Sequence, residues 1–220
     1  MIPRKLTPEL LDSLPPNDPR AIRSRRDLAR INGVMFQHAI MVRALSHLPP
    51  PRRIADLGGG DARFMLGVAK RLARHWPGVT LLICDRQDIV SATTRAVFEA
   101  LGWRCEVRQG DIFRTLPQAD IITANLFLHH FDDAALARLL ALAAGQTKAF
   151  VACEPRRNRF AWAAAHMVGV LGANDVTRHD AVVSVEAGFT GRELSALWPP
   201  GWHMREHAAW PFSHVFAAHV

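Results

Sequence analysis

Arg53-Ile54-Ala55-Asp56-Leu57-Gly58-Gly59-Gly60-Asp61-Ala62 is the stretch whose reading decides the fold. A short apolar run stops at three glycines, and a helical pattern opens directly after them, over residues 62–75. Glycine at such a junction takes positive φ without strain and lets a ligand approach the backbone closely. Downstream the same texture repeats. Pro77-Gly78 closes the helix, residues 79–84 form a β-rich run ending at Asp85, and residues 91–101 read as a helix stopped by Gly102. Residues 103–108 alternate and end in Gly110-Asp111, residues 120–124 make a fourth strand, 133–144 a helix, and 149–153 a fifth strand before Glu154-Pro155. Strands alternating with helices of ten or more residues predict an α/β fold, a doubly wound and mostly parallel sheet with right-handed crossovers.

After Pro155 the alternation fails. A helix over 159–171 leads to the polar stretch 174–180, a short helix over 190–197, and strand-like runs at 204–210 and 214–219 separated by Pro211-Phe212. A hairpin at the sheet edge brings the expected count to seven strands. Upstream of the decisive loop, residues 1–19 are Pro-rich and read as an arm. From 21 to 48, Ile22, Leu28, Ile31, Met35, Ala39, Val42 and Leu45 recur mostly at three- and four-residue steps, an amphipathic helix that Pro49-Pro50-Pro51 terminates. The expected organisation is an arm and helical lid over 1–48 and a cofactor-binding domain over 49–220.

Composition sets the class. The chain has 220 residues, 49% hydrophobic and 21% charged, which suits a single globular domain and excludes a disordered chain, a collagen or a coiled coil. A chain this long buries roughly 70% of its unfolded surface and needs no staples. Cys84, Cys105 and Cys153 are too few and too scattered for a disulfide framework or a metal knuckle, so a reducing cytoplasm is expected. The first 18 residues lack an apolar stretch followed by a small-residue cleavage site. The longest nearly apolar run, residues 160–173, is broken by His166 and falls short of the ~20 residues a membrane span needs.

The net charge of +7 and the isoelectric point of about 10.5 raise a nucleic-acid partner. Two observations weaken it. Only Lys5, Lys70 and Lys148 among 27 cations are lysine, a skew that codon usage explains. The cations are also dispersed, apart from Arg20, Arg23, Arg25, Arg26 and Arg30 around Asp27. That group reads as a solvated helix face, with contact to an anionic membrane or an acidic carrier protein as its sharper reading.

The glycine loop is not a dinucleotide fingerprint, because Arg63 stands where the third glycine must allow close helix packing. With its strand-end residues it resembles the first motif of class I S-adenosylmethionine-dependent methyltransferases, acidic-x-Gly-x-Gly-x-Gly, with Ala62 in place of the third glycine. The resemblance runs from about Ile54 to Pro155. It implies that Asp56, Gly58, Gly59 and Gly60 hold the cofactor, that Asp85 with Arg86 receives the ribose, that Asp111 and Ile112 meet the adenine, and that Asn125 lies beside the methionine moiety. The residues support this independently of family. One carboxylate accepts from two neighbouring ribose hydroxyls, and Asp85 lies 25 residues after Gly60, near the expected offset. A sulfonium suits backbone carbonyls and an acid such as Asp56.

The acceptor is read from the fourth strand onward. Nucleobase amino-methylating enzymes resemble one another in Asn/Asp-Pro-Pro-Tyr/Phe, whereas this chain has Asn125-Leu126-Phe127-Leu128, and no Pro-Cys nucleophile follows. Leu128-His129-His130-Phe131-Asp132-Asp133 resembles instead the Leu-His-Asp-Trp-x-Asp stretch of small-molecule O-methyltransferases, which implies His129 as general base. A base of ordinary histidine pKa contributes roughly 10²–10⁴-fold in rate. A similar Leu-His-His occurs in quinone-pathway methyltransferases, where the histidine only packs over the cofactor. His38 and His166 on apolar faces read as core residues or as lining of a substrate chamber. Within Asn174–Asp180, His179 paired with Asp175 or Asp180 is a second candidate base. No carboxylate–histidine group has metal-site spacing, so no metal is expected. The function expected is S-adenosylmethionine-dependent O-methylation of a small hydrophobic phenolic or polyketide-like hydroxyl. The alternatives are C-methylation of a quinone-like ring and a non-catalytic S-adenosylmethionine sensor.

Overall fold

Seven strands form one sheet in the order β3-β2-β1-β4-β5-β7-β6, in a computed structural model that describes residues 2–15 and 17–220. The five parallel strands are β1 (Arg53–Leu57), β2 (Thr80–Asp85), β3 (Arg104–Gln109), β4 (Ile121–Asn125) and β5 (Ala149–Pro155). Strands β6 (His203–Ala209) and β7 (Ser213–His219) make the expected hairpin: the chain runs first to the outer edge, then returns antiparallel between β6 and β5. Helices α4 (Arg63–Leu72), α5 (Ala92–Ala100), α6 (Ile112–Thr115) and α7 (Asp133–Ala144) cross between the parallel strands. The strand order reverses between β1 and β4, so the carboxyl ends there frame a crevice, the place where such sheets bind ligands.

Alternating side chains give the sheet two apolar faces. Ile54 of β1, Leu81 and Ile83 of β2 and Val151 of β5 join Met65, Leu72 and Phe98 on one side. Ala55, Leu57, Leu82, Ile122 and Phe150 join Leu136, Leu140, Trp198 and Phe216 on the other. Met41 and Leu45 belong to the first of these cores, so the helices before β1 are continuous with the sheet's packing. Among the described residues no helix is long and apolar enough to cross a membrane.

Three expectations are corrected. The helix expected over 21–48 is two: α2 (Pro19–Val34), capped by the Asp18 side chain, and α3 (Gln37–Leu45). Phe36 between them takes a left-handed φ of 54°, and its N–H closes on the Gly33 carbonyl, which turns the chain. The helix expected over 159–171 stops at His166 (α8, Arg159–His166), followed by one tight turn and Gly172 at φ 78°. The polar stretch 174–180 is not a loop. Asn174 caps α9 (Asp175–Ala187), whose valines at 176, 182, 183 and 185 give it a β-like texture in sequence. The short helix expected at 190–197 is α10 (Glu193–Leu197).

The residues expected to be a free arm are instead a packed strap. Its short helix α1 (Leu10–Ser13) is tied down by Asp180, whose two carboxylate oxygens accept from the N–H groups of Leu10 (2.8 Å) and Leu11 (3.0 Å). Arg4 donates to the carbonyls of Ala187 and Phe131, and Lys5 N–H to that of Glu186. The strap thus runs along α9 and over the crevice.

Candidate functional site

The crevice at the β1–β4 reversal is a cavity of about 780 Å³, within the usual size for a small-molecule site. A larger groove of about 1070 Å³ lies between α3 and the hairpin, at the amino-terminal ends of the strands, and holds none of the expected site residues. The cavity's floor is the glycine loop. Gly58 (φ 66°) carries the Phe127 ring where a Cβ would stand, 2.2 Å from the nearest ring atom. Gly60 (φ 54°) turns its N–H onto Asp85 Oδ2 at 3.0 Å, while Asp85 Oδ1 accepts from Gln87 N–H. Ala62, in place of the third glycine, is also left-handed at φ 62°. The strand end, the loop and the carboxylate are therefore held as one unit.

Of the residues expected to hold a cofactor, Gly58, Gly59, Gly60, Asp85, Arg86, Asp111, Ile112 and Asn125 all line this cavity. Asp111 caps α6 by accepting from Phe113 N–H at 3.0 Å. Asn125 Oδ1 is buried without a hydrogen-bond partner, an acceptor at the cavity wall that lacks a donor. Asp56 is the exception. It is buried beneath the loop, takes a hydrogen bond from the Thr123 hydroxyl at 2.7 Å, and lies against Gly59 rather than on the cavity wall. Burial, with the Asp85 charge adding to it, pushes its carboxyl up to about 7 against the Thr123 hydrogen bond. Its part is to brace the loop from behind.

The donors a nucleoside sulfonium presents match the acceptors on this wall: ribose hydroxyls for Asp85, an adenine amino group for Asp111, an ammonium for Asn125 Oδ1. The residues present fit S-adenosylmethionine.

His129 lies in the tight turn Leu128–His130 after β4, nearly fully buried. Its Nδ1 meets Glu154 Oε2 at 2.7 Å, and the other Glu154 oxygen accepts from Phe127 N–H (3.0 Å) and Leu128 N–H (2.9 Å). One carboxylate at the end of β5 therefore fixes both the turn and the ring, and sequence reading missed it, treating Glu154 only as the end of a strand. Its visible signal was an acid closing an otherwise apolar strand. The second surprise is Glu9 of the strap, whose Oε1 lies 3.3 Å from His129 Nε2 and is also hydrogen-bonded by the Ser184 hydroxyl. Burial works against charge on His129, yet the hydrogen bonds to Glu154 and Glu9 outweigh it and hold the ring up at about 9. Glu9 is pulled down to about 2, its burial outweighed by the His129 hydrogen bond and charge, with help from His130 and Ser184.

The other histidines separate. His38 lines the cavity, stacked on Phe64 with ring centroids 4.9 Å apart. His130 also lines it, with Nδ1 3.6 Å from Asp12 Oδ2. His166 is exposed and turns back onto the Trp162 carbonyl. His179 stands outside the cavity lining, bonded to Asp180 at 3.0 Å, and Asp180 itself anchors the strap; the pair is structural. The basic group is split: Arg20 pairs with Asp18, Arg30 with Asp27, Arg23 donates to the Gly172 carbonyl, and Arg25 lines the cavity.

A family model described as the O-methyltransferase domain matches residues 19–149, more than half of the chain. Acetylserotonin O-methyltransferase of Mus musculus molossinus is 36% identical over 106 residues, 45% of this chain and 26% of that protein. The enzyme of the same name from Gallus gallus is 28% identical over 109 residues, 49% of this chain and 29% of that protein. The match thus spans about a quarter of the length of these curated relatives. Among solved structures, mitomycin 7-O-methyltransferase superposes with a TM-score of 0.64 at 22% identity, covering 96% of this chain and 60% of that one. Human N-acetylserotonin methyltransferase in complex with S-adenosylmethionine gives 0.56 at 17%, covering 94% and 60%. These likenesses establish the fold.

Proposed function

The chain belongs to the O-methyltransferase domain family, and on that premise we propose that it transfers a methyl group from S-adenosylmethionine to a hydroxyl of a small, hydrophobic, phenolic or polyketide-like acceptor. The observation that carries this reading is His129, which lines the same cavity as Asn125 and is backed by the buried Glu154. Asp85 with Arg86 would hold the ribose, Asp111 and Ile112 the adenine, Asn125 Oδ1 the ammonium, and the backbone of Gly58, Gly59 and Gly60 the space between them. When bound, the cofactor supplies an electrophilic methyl group on a sulfonium. Glu154 occupies Nδ1 of His129 and so leaves Nε2 as the nitrogen that takes the acceptor's hydroxyl proton. Glu9 stands at that nitrogen and helps keep the ring protonated. An acceptor that displaces Glu9 removes that support, and the ring releases its Nε2 proton to solvent before Nε2 takes the acceptor's hydroxyl proton. Leu6, Leu11, Leu28, Phe64 and Val183 line the same cavity and exclude water, which leaves alignment of the reactants as the main source of rate. Residues 2–15 and 17–48 serve as strap and lid. The family description and the names of the acetylserotonin and mitomycin relatives support a small-molecule oxygen acceptor over a quinone ring carbon.

The test is transfer of a labelled methyl group from S-adenosylmethionine to a panel of phenols and hydroxylated polyketides. Label on oxygen is expected, and His129→Ala should lower kcat by roughly 10²–10⁴-fold with cofactor affinity unchanged. Unchanged turnover removes the base assignment. Tight cofactor binding without product from any acceptor would turn the reading to a non-catalytic sensor.

A further inference from the structure

Glu9 from the strap and the consecutive His129 and His130 bring three ligand atoms to within 4.8 Å of one another, at the wall of the cavity. The contact between Glu9 Oε1 and His129 Nε2 is 3.3 Å, whereas the same ring meets Glu154 at 2.7 Å on its other nitrogen. Charge-assisted hydrogen bonds close to about 2.7–2.9 Å, so the Glu154 contact is one and the Glu9 contact is loose. A spacing of about 3.3 Å is the edge of a tetrahedron around an ion bonded at about 2.0–2.1 Å. A ring nitrogen of His130 lies within 4.8 Å of both atoms, and an ion would draw it in to complete the third corner.

The surroundings are those of a built site. A histidine that binds a metal through one nitrogen commonly gives the other N–H to a carboxylate, which is the relation of His129 to Glu154. Glu9 is likewise held by Ser184, and Asp12 Oδ2 lies 3.6 Å from His130 Nδ1. The His129 and Glu9 side chains are 3% and 13% exposed, while the cavity they line with His130 gives an ion a way in.

We propose that Glu9, His129 and His130 form a binding site for a divalent transition-metal cation of the zinc type, which pins the strap to the turn after β4. Two imidazoles and a carboxylate favour such borderline cations over magnesium or calcium, which take all-oxygen sets. The ion takes the Nε2 lone pair of His129, so the metal-bound form holds the strap closed and accepts no proton from a substrate. That last consequence rests on the role of His129 in methyl transfer; the binding itself does not.

The probe is Zn²⁺, titrated into the full chain in competition with a chromophoric chelator, with no cofactor or acceptor present. The wild type is expected to hold one equivalent, and Glu9→Gln and His130→Gln, each of which removes a direct ligand, to bind it more weakly by at least the roughly 10–100-fold that loss of an outer-shell partner costs. Zn²⁺ should also slow proteolytic cleavage within residues 6–14 of the wild type and not of Glu9→Gln. With Co²⁺ in its place, the wild type should show the intense visible bands of a four-coordinate ion, a reading that needs no variant. The proposal is overturned if no equivalent survives the chelator. It is equally overturned if both variants bind as tightly as the wild type, which assigns the ion to others of the 11 histidines. None of these readings needs turnover, so a chain that binds Zn²⁺ but methylates nothing loses the proposed reaction and keeps the metal site.

Discussion

At the scale of single residues, Glu154 divides its two oxygens between a ring nitrogen and two backbone N–H groups. Glu154→Gln keeps an acceptor for Phe127 and Leu128 but removes the charge that supports His129, so kcat should fall by less than the roughly 10²–10⁴-fold that loss of the base produces, with the melting temperature nearly unchanged. Glu154→Leu should instead unfold the turn's support, because two buried donors are left without partners at about 1–3 kcal/mol each. Steady-state kinetics and thermal melts separate the two. Asp56 behaves differently. Its folded carboxyl titrates near 7, against about 3.9 in an unfolded chain. The folded state therefore binds the extra proton between those values, and its stability falls as pH rises from about 4 to 7, by up to about 4 kcal/mol. Asp56→Asn, which stays neutral, should lack that fall; equal urea midpoint differences at pH 4, 5.5 and 7.5 would refute it. The sequence announces Asp85, Asp111 and Asn125 because each closes a strand or opens the next turn. It does not announce that Asp56 turns inward, because an acid in a strand's last positions has the same pattern on either face. Glu9 is invisible for another reason: its partner stands 120 residues away.

Elements show where local pattern and tertiary packing part. The amphipathic run 21–48 is helical on both sides of one break, the turn at Phe36, whose sequence mark is Asn32-Gly33, a pair that the apolar spacing across it overrode in the reading. The α3–α4 contact depends on Gly67, where an added Cβ would lie 2.3 Å from the His38 ring. Gly67→Ala should therefore destabilise the protein by about 1–3 kcal/mol despite the better helix propensity of alanine, as a chemical denaturation curve would show. The strap is the element furthest from its sequence reading. A Pro-rich polar stretch reads as free, but Asp180, Ser184 and Phe131 each offer it a hydrogen bond on an element it meets only after folding. Asp180→Ala removes two of its ties and should speed cleavage within residues 2–15 while the sheet stays resistant; an unchanged cleavage rate would mean the ties do not hold it.

For the whole molecule, the sheet order and its two apolar faces follow from runs of alternating strand and helix, which is why the architecture was legible and the roof of its crevice was not. Within the charge of +7, Arg20 and Arg30 pair with Asp18 and Asp27, while Arg25, Arg63 and Arg86 line the cavity. Cofactor at 100 times its Kd should stabilise the fold by about 2.7 kcal/mol. For a chain of this size that is roughly 5–10 °C in melting temperature. Asp85→Ala at the same concentration should lose the shift, and a shift of equal size would place the cofactor elsewhere. The strap has one more consequence, in the order of biosynthesis. Leu10 is bonded to Asp180 across 170 residues, and Arg4 to Ala187 across 183. At about 5–20 residues per second, roughly 9–37 s separate translation of the roof from translation of its anchor. In that interval the strap has nothing to bond to, so the crevice gains its roof only after residues 180–187 have left the ribosome.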